Sequence, residues 1–245
     1  MDWTKSTMLI TGGASGIGLA LAQRFAAHGA KVIVCGRRAE ALREAQAQCP
    51  ALVTMTADVS TAQGREALAT KVMAEHPELN VLVNNAGIQN RPLPMHLPQD
   101  WAQHAAEIET NLCAPMHLSS LLLPHLLSRP EGAVLNVSSG LAFVPLAFMP
   151  TYCATKAALH SFTLSLRHQL RETTVRVIEV VPPAVQTDLG GKGLHTQGVA
   201  LDLYADDAFA KILAGETELG FGFSEKGRNA SRAELDAIFV AMNSR

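Results

Sequence analysis

Short apolar runs alternate along this chain with longer segments whose apolar residues recur at helical spacing. Thr7 to Thr11 is the first such run, and it breaks into T-G-G-A-S-G-I-G over residues 11 to 18. Ile17, Leu21, Ala22 and Phe25 then share one helical face. The same alternation predicts strands over Lys31–Cys35, Leu52–Thr56, Ala133–Val137 and Val175–Val181, and another in N-V-L-V-N-N-A-G, ending at Asn84-Asn85-Ala86-Gly87. Helices are expected over Ala39–Gln48, Thr61–Glu75 and Thr151–Arg171. A long helical pattern from Gln99 to Leu127 should be interrupted or kinked at Pro115, which cannot donate to the helix ladder. After a glycine-rich loop around Gly190–Gly198, the tail predicts a helix near Asp206–Ala214, a strand over Leu219–Phe223 and a last helix over Arg232–Met242. Strands alternating with helices, without a repeat or a linker, predict one α/β domain spanning 1–245, its parallel sheet covered on both faces.

Candidate chemistry concentrates between Leu135 and Lys156. This stretch begins L-N-V-S-S-G and ends Y-C-A-T-K, carrying the Ser139 hydroxyl, the Tyr152 phenol and the Lys156 ammonium. A free tyrosine ionises near pH ~10 and is a poor acid or base at neutrality. Lys156 stands one helical turn from Tyr152 on the same face, so its charge favours the phenolate. Reaching pH ~7 takes about 4 kcal/mol of differential stabilisation, more than one solvated lysine supplies. A second positive charge, such as an oxidised nicotinamide ring, would complete it. Alone, Y-x-x-x-K also suits a solvated helix face with a half-buried tyrosine.

The glycine turn at residues 11–18 suits a diphosphate: glycines admit close backbone approach, and the helix start offers free N–H groups. Its spacing differs from G-x-G-x-x-G, and a plain tight turn has the same composition. After the second strand, where a ribose-binding acid would stand in a dinucleotide fold, the chain reads Gly36-Arg37-Arg38. Two arginines suit a 2′-phosphate, or form a solvated pair opening the next helix. Asp58 suits either an adenine amino group or a cap on the next helix. Asn111 lies inside the long helical pattern and, if buried, requires hydrogen bonds through a disrupted turn or a water.

Composition removes several classes. Of 245 residues, 48% are hydrophobic and 5% aromatic, with a formal net charge of -2. Without a basic run or aromatic platforms, no nucleic-acid partner is expected. Four cysteines in no zinc or C-x-x-C spacing fit reduced thiols in a cytoplasmic protein, and the scattered histidines predict no metal site. The uncharged stretch Gly132–Thr155 is long enough to span a bilayer but carries Asn136, Ser138, Ser139, Pro145 and Pro150, so no membrane span is expected.

Taken together, T-G-G-A-S-G-I-G, N-N-A-G, Asn111, Ser139 and Tyr152 with Lys156 resemble the short-chain dehydrogenases/reductases in order and spacing. P-P-A-V-Q-T-D (182–188) resembles that family's P-G-x-V-x-T segment, with Pro183 in place of the usual glycine, and the tail resembles a subgroup of bacterial oxidoreductases. The resemblance implies a Rossmann-type doubly wound sheet and hydride transfer between NAD(P) and a small-molecule carbonyl or alcohol. It makes Tyr152 the acid/base, Lys156 its electrostatic partner and the holder of the nicotinamide ribose, Ser139 the carbonyl-positioning group and Asn111 the support of a proton relay. It implies cofactor contacts from Gly12, Ser15, Gly16, Ile17, Gly18, Arg37, Arg38, Asp58, Val59, Asn84, Ala86, Gly87, Tyr152, Lys156, Pro182, Val185 and Thr187. NADP(H) is expected over NAD(H), since Gly36 removes the repelling acid and Arg37 and Arg38 attract the phosphate. A homodimer or homotetramer is implied, pairing the helices at Gln99–Leu127 and Thr151–Arg171. The loop from Leu189 to Leu203 is expected to cover the substrate, and Leu141, Phe143, Val144, Leu146, Phe148 and Met149 form a partly apolar pocket, core or an interface. The alternative is a dinucleotide-binding sensor or scaffold without catalysis.

Overall fold

The computed structural model describes residues 1–244. Seven parallel strands form one sheet in the order β3-β2-β1-β4-β5-β6-β7. They are β1 (Thr7–Thr11), β2 (Lys31–Gly36), β3 (Val53–Thr56), β4 (Val81–Asn84), β5 (Gly132–Val137), β6 (Val175–Val181) and β7 (Glu218–Gly220). Every residue of β1, β4 and β5 is buried. Both faces of these central strands are covered, which explains why they read as continuous apolar runs. Strand order reverses between β1 and β4, and the crevice outside their carboxyl ends is where such sheets take ligands.

Helices α1 (Gly16–Ala27), α2 (Ala39–Gln48) and α3 (Ala62–Glu75) connect the first four strands. One apolar cluster, with Leu21 and Phe25 of α1 beside Tyr204 and Ile212, fills one side of the sheet. The other gathers Leu68 and Val72 of α3 with Leu118, Leu122 and Leu166. Thr61 starts α3 by accepting the Gly64 N–H at 3.0 Å, a side-chain cap on an otherwise unpaired donor.

The expected helix Gln99–Leu127 is resolved into α4 (Trp101–Ile108), a π turn (Glu109–Cys113) and α5 (Ala114–Leu127). Its irregularity therefore precedes Pro115 rather than sitting on it. Without an N–H, Pro115 cannot serve the carbonyl of residue 111, and the widened turn absorbs that defect. Helix α6 (Pro150–Gln169) carries Tyr152 and Lys156 and packs on α4 and the π turn.

The tail departs further from expectation. Helix α7 covers Leu201–Ala214, so the last residues of the anticipated loop to Leu203 form its first turn. Strand β7 ends at Gly220, and Phe223 opens α8 (Phe223–Asn229) instead of closing a strand. Gly222, with φ 54°, makes the break. Helix α9 (Arg232–Asn243) begins with a reciprocal Ser231–Glu234 capping box. The tail also braces the crevice. The Ser224 hydroxyl of α8 donates to the Val181 carbonyl. Asn243 of α9 accepts the Ala147 N–H at 2.7 Å and donates to the Pro145 carbonyl at 3.1 Å.

Candidate active site

A cavity of about 950 Å³ runs along the carboxyl ends of the strands. At one end the turn after β1 meets α1. Gly12 and Gly16 hold left-handed φ values of 64° and 54°, which side-chain-bearing residues rarely adopt. Ser15 precedes α1 without capping it through its side chain, so the first-turn N–H groups face the cavity with the positive end of the helix dipole. This is a cradle for an anion such as a diphosphate. Gly12, Ser15, Gly16 and Ile17 line it. Gly18 does not: a Cβ there would run into the Asn85 amide and the Gly12 carbonyl, so it is a packing glycine between α1 and the sheet.

Beyond the cradle, Gly36, Arg37, Arg38, Asp58 and Val59 line the cavity. Neither arginine makes an ion pair with a described residue. The Asp58 carboxylate accepts the Ser60 N–H at 2.9 Å and its hydroxyl at 2.7 Å. Burial would raise the Asp58 pKa, but these bonds and the Arg37 charge hold it below the ordinary value.

Ala86 and Gly87 line the cavity, whereas Asn84 does not. Asn84 is 2% exposed and donates to Asn136 at 2.9 Å and Ser119 at 3.3 Å, tying β4 to β5 and α5. Successive strand residues point to opposite faces, so Asn85 takes the cavity side. Its amide donates to the Thr11 and Gly12 carbonyls and fixes the glycine turn. Pro182 and Thr187 also line the cavity. Val185 is instead core: it is 4% exposed and bridges Val199 through the backbone.

Tyr152 and Lys156 meet at the inner end of the cavity. Lys156 is buried, donates to the Val137 carbonyl at 2.8 Å, and lies 5.7 Å from the centre of the Tyr152 ring. Burial lowers its pKa to about 8, against Glu107 and Glu179. The expected depression of the Tyr152 pKa is reversed in the protein alone. Burial pushes the phenol above its ordinary value, Ser139 opposes through a hydrogen bond, and Cys153 and Glu107 add to the rise. Loss of hydration outweighs the nearby ammonium because Lys156 spends a donor on Val137 and sits over the ring rather than at the phenol oxygen.

Ser139 ends the β5 turn, where its Oγ also accepts the Leu141 N–H at 3.1 Å. Asn111 sits in the π turn, fully buried. It accepts the Ile88 N–H and donates to the Ile88 carbonyl, both at 2.8 Å, and donates to Thr155 at 3.3 Å. The disrupted turn is therefore present, and protein groups occupy the amide. Leu141, Leu146 and Leu189 pack around Met149, Tyr152 and Cys153, giving the phenol apolar surroundings. Phe148 lines a separate cavity of about 270 Å³ with Leu93 and Met95. Val144 is fully buried, and Phe143 packs edge-on against His160.

From sequence the amides of Asn84 and Asn85 both suit a crevice at this strand end, and Asn85 is the one that lines it. One residue escaped the sequence reading. Glu107, 1% exposed, accepts the Asn90 N–H at 2.8 Å. An acid at a core position of an amphipathic helix was its only signal.

The short chain dehydrogenase profile matches residues 6–197. The chain belongs to the short-chain dehydrogenase family. Within that family it is 47% identical to an uncharacterized oxidoreductase, DltE, of Bacillus subtilis, over 99% of this chain and 98% of that protein. It is 34% identical to the NADP-dependent 3-hydroxy acid dehydrogenase YdfG of Shigella flexneri, covering 73% of this chain and 72% of that one. Among solved structures, a short chain dehydrogenase from Burkholderia cenocepacia in complex with NADP superposes with a TM-score of 0.84 at 26% identity, covering 98% and 99% of the two chains. The protein is thus an oxidoreductase of the short-chain dehydrogenase type. Among the described residues, no helix is long and apolar enough to cross a membrane.

Proposed function

We propose that the protein is an NADP(H)-preferring reductase or dehydrogenase of a small carbonyl or alcohol. The observation that carries this reading is the meeting of Tyr152 and Lys156 at the inner end of a cavity whose outer end has two unpaired arginines, with Ser139 hydrogen-bonded to Tyr152 just behind the lining residue Ser138. The cradle at Gly12–Ile17 fits a diphosphate, and Arg37 and Arg38 fit a 2′-phosphate. The NADP-named relative and the NADP-bound neighbour support that choice.

A bound nicotinamide would supply or take the hydride. In the reducing direction Tyr152 gives its proton to the carbonyl oxygen, and in the oxidising direction it takes the alcohol proton. Ser139 donates a hydrogen bond to the same oxygen and orients it. Lys156 holds the ribose and supplies positive charge beside the phenol. Asn111 fixes the Ile88 backbone along the cavity floor. Leu141, Leu146, Met149 and Leu189 favour an apolar group beside the reacting carbon, and the loop from Leu189 to the start of α7 covers it. Exposed Met116 on α5 and Leu164 on α6 support pairing of these helices in a homo-oligomer.

Tyr152→Phe is the deciding variant. Turnover across a panel of ketones and aldehydes, followed by cofactor absorbance, should vanish while NADP(H) binding persists. Undiminished turnover would reject the reading. Stoichiometric cofactor binding by the wild type without turnover on any substrate would favour a sensor or scaffold.

A further inference from the structure

The apolar groove of about 270 Å³ at Phe148 lies between two loops that also line the catalytic cavity. Pro92 to Met95 form one wall, and Ala147, Phe148 and Pro150 the other. Both walls continue those of the cavity. Gly87 to Asn90 line the cavity just before Arg91 and the first wall, and Tyr152 lines it two residues after Pro150. Phe148 and Tyr152 are four residues apart, so their Cα atoms are separated by no more than ~14 Å.

The walls are braced and tied to one another. The Gln99 amide donates to the Pro94 carbonyl at 2.9 Å and the Leu97 carbonyl at 2.8 Å, and its oxygen pairs with the His104 ring at 3.2 Å. The other nitrogen of that ring bonds Thr151, next to Pro150, at 2.7 Å. Asn243 holds the second wall through Ala147 and Pro145. Yet Leu93, Met95 and Phe148 are each more than half exposed. Hydrogen bonds thus fix a shape whose large apolar side chains face water, which a ligand site requires and a core does not. At its edge the Arg91 guanidinium lies 5.9 Å from the centre of the Phe148 ring. Arg91 is exposed and makes no ion pair among the described residues.

We propose that the groove binds the tail of the substrate, an open-chain carbonyl compound whose alkyl chain runs from Tyr152 over Phe148 and carries a carboxylate that pairs with Arg91. The inference rests on Tyr152 marking the reacting carbon. Burying alkyl carbon against Leu93, Met95 and Phe148 removes apolar surface from water on both partners. A guanidinium held over an aromatic face takes a carboxylate bidentately. A sugar or polyol would instead leave hydroxyls unpaired against prolines, leucine and phenylalanine.

Calorimetry with the enzyme saturated with oxidised nicotinamide cofactor reads this binding without turnover. The probes are saturated oxo acids of increasing length, with the carbonyl moved along the chain, and their methyl esters. Each methylene that reaches the groove should tighten binding by the wild type about fourfold. The best acid should bind about tenfold or more tightly than its ester. Arg91→Met should remove that preference and leave the ester unchanged, and Phe148→Ser should flatten the dependence on length. Equal binding of acid and ester by the wild type, or affinity independent of length, overturns the proposal. So does an Arg91→Met variant that still prefers the acid. If Phe148→Ser turns an oligomer into monomers and leaves the length dependence in place, the groove is an interface between copies and the proposal fails. Should Phe148→Ser not fold, the wild-type series and Arg91→Met decide. An active Tyr152→Phe enzyme would defeat the reading of Tyr152 as the proton donor, yet leave the binding results intact.

Discussion

The Lys156 ammonium donates to the Val137 carbonyl at 2.8 Å inside the protein, where burial lowers its pKa from 10.5 to about 8. At neutral pH the charge is therefore held at a cost. The unfolded chain binds the proton more tightly, so the penalty is fully present below pH 8 and relieved as the pH rises towards 10.5. The shift corresponds to about 3 kcal/mol, and removing the donor to Val137 costs back about 1 kcal/mol. Lys156→Met should accordingly gain about 2 kcal/mol at pH ~7 while losing activity. Urea unfolding checks it, and the advantage should shrink as the solution approaches pH 10.5. A destabilised variant would show that Lys156 is net favourable to the fold.

Tyr204 carries a buried hydroxyl without a hydrogen-bond partner, under the apolar cluster beside α1. Burial pushes this phenol above its ordinary value, so it stays neutral throughout the working range. Tyr204→Phe removes an unsatisfied polar group and leaves the ring in place. The expected thermal midpoint is unchanged or higher, with a gain of up to about 1 kcal/mol. A marked drop would reveal an ordered water as the missing partner.

His160 on α6 bonds Glu179 of β6 at 2.8 Å, and the carboxylate has no exposed surface. That bond raises the His160 pKa above 6.5, against burial. A raised value means that the pair's stabilisation is complete below pH 6.5 and is lost as the pH rises through the folded-state value. His160→Gln should cost about 1–3 kcal/mol in mildly acidic buffer and less in alkaline buffer. Denaturation at both ends of that range tests the sign. An equal loss at both would mean that the histidine is never charged.

What could be read along the chain was local. The glycine turn at residues 11–18, the one-turn spacing of Tyr152 and Lys156 and the seven strand positions all follow from neighbours in sequence. Assignments that depended on which way a side chain points fared worse. Asn84 and Asn85 are indistinguishable by composition, and only their places, the last residue of β4 and the one just beyond it, separate a sheet-binding amide from a cavity-lining one. Val185 follows a strand that reads as continuous core, and so does the valine itself. Glu107 is buried where α4 packs on α6, which lies dozens of residues away and is brought close only by the fold. Gly222 redirects the chain into α8, where alternation in Leu219–Phe223 had suggested a strand.

Cofactor choice tests the outer end of the cavity. Arg37 and Arg38 line it without ion-pair partners among the described residues, so neither must break a bond to meet a 2′-phosphate. A charge-assisted hydrogen bond is worth about 1.5–3 kcal/mol, which corresponds to roughly ten- to hundredfold in affinity. Arg37→Ala should therefore reduce the ratio of kcat/KM for NADP(H) over NAD(H) by about that factor. Gly36 offers the converse experiment. A Cβ added there would lie 3.9 Å from the Ala14 Cβ, an ordinary contact, so a side chain fits without moving the turn. Gly36→Asp would put a carboxylate where it can accept both ribose hydroxyls and repel a 2′-phosphate. Its expected result is preference for NAD(H). If the wild type already prefers NAD(H), the 2′-phosphate reading of this end of the cavity fails; if it prefers NADP(H) but Arg37→Ala leaves the ratio untouched, Arg38 becomes the candidate.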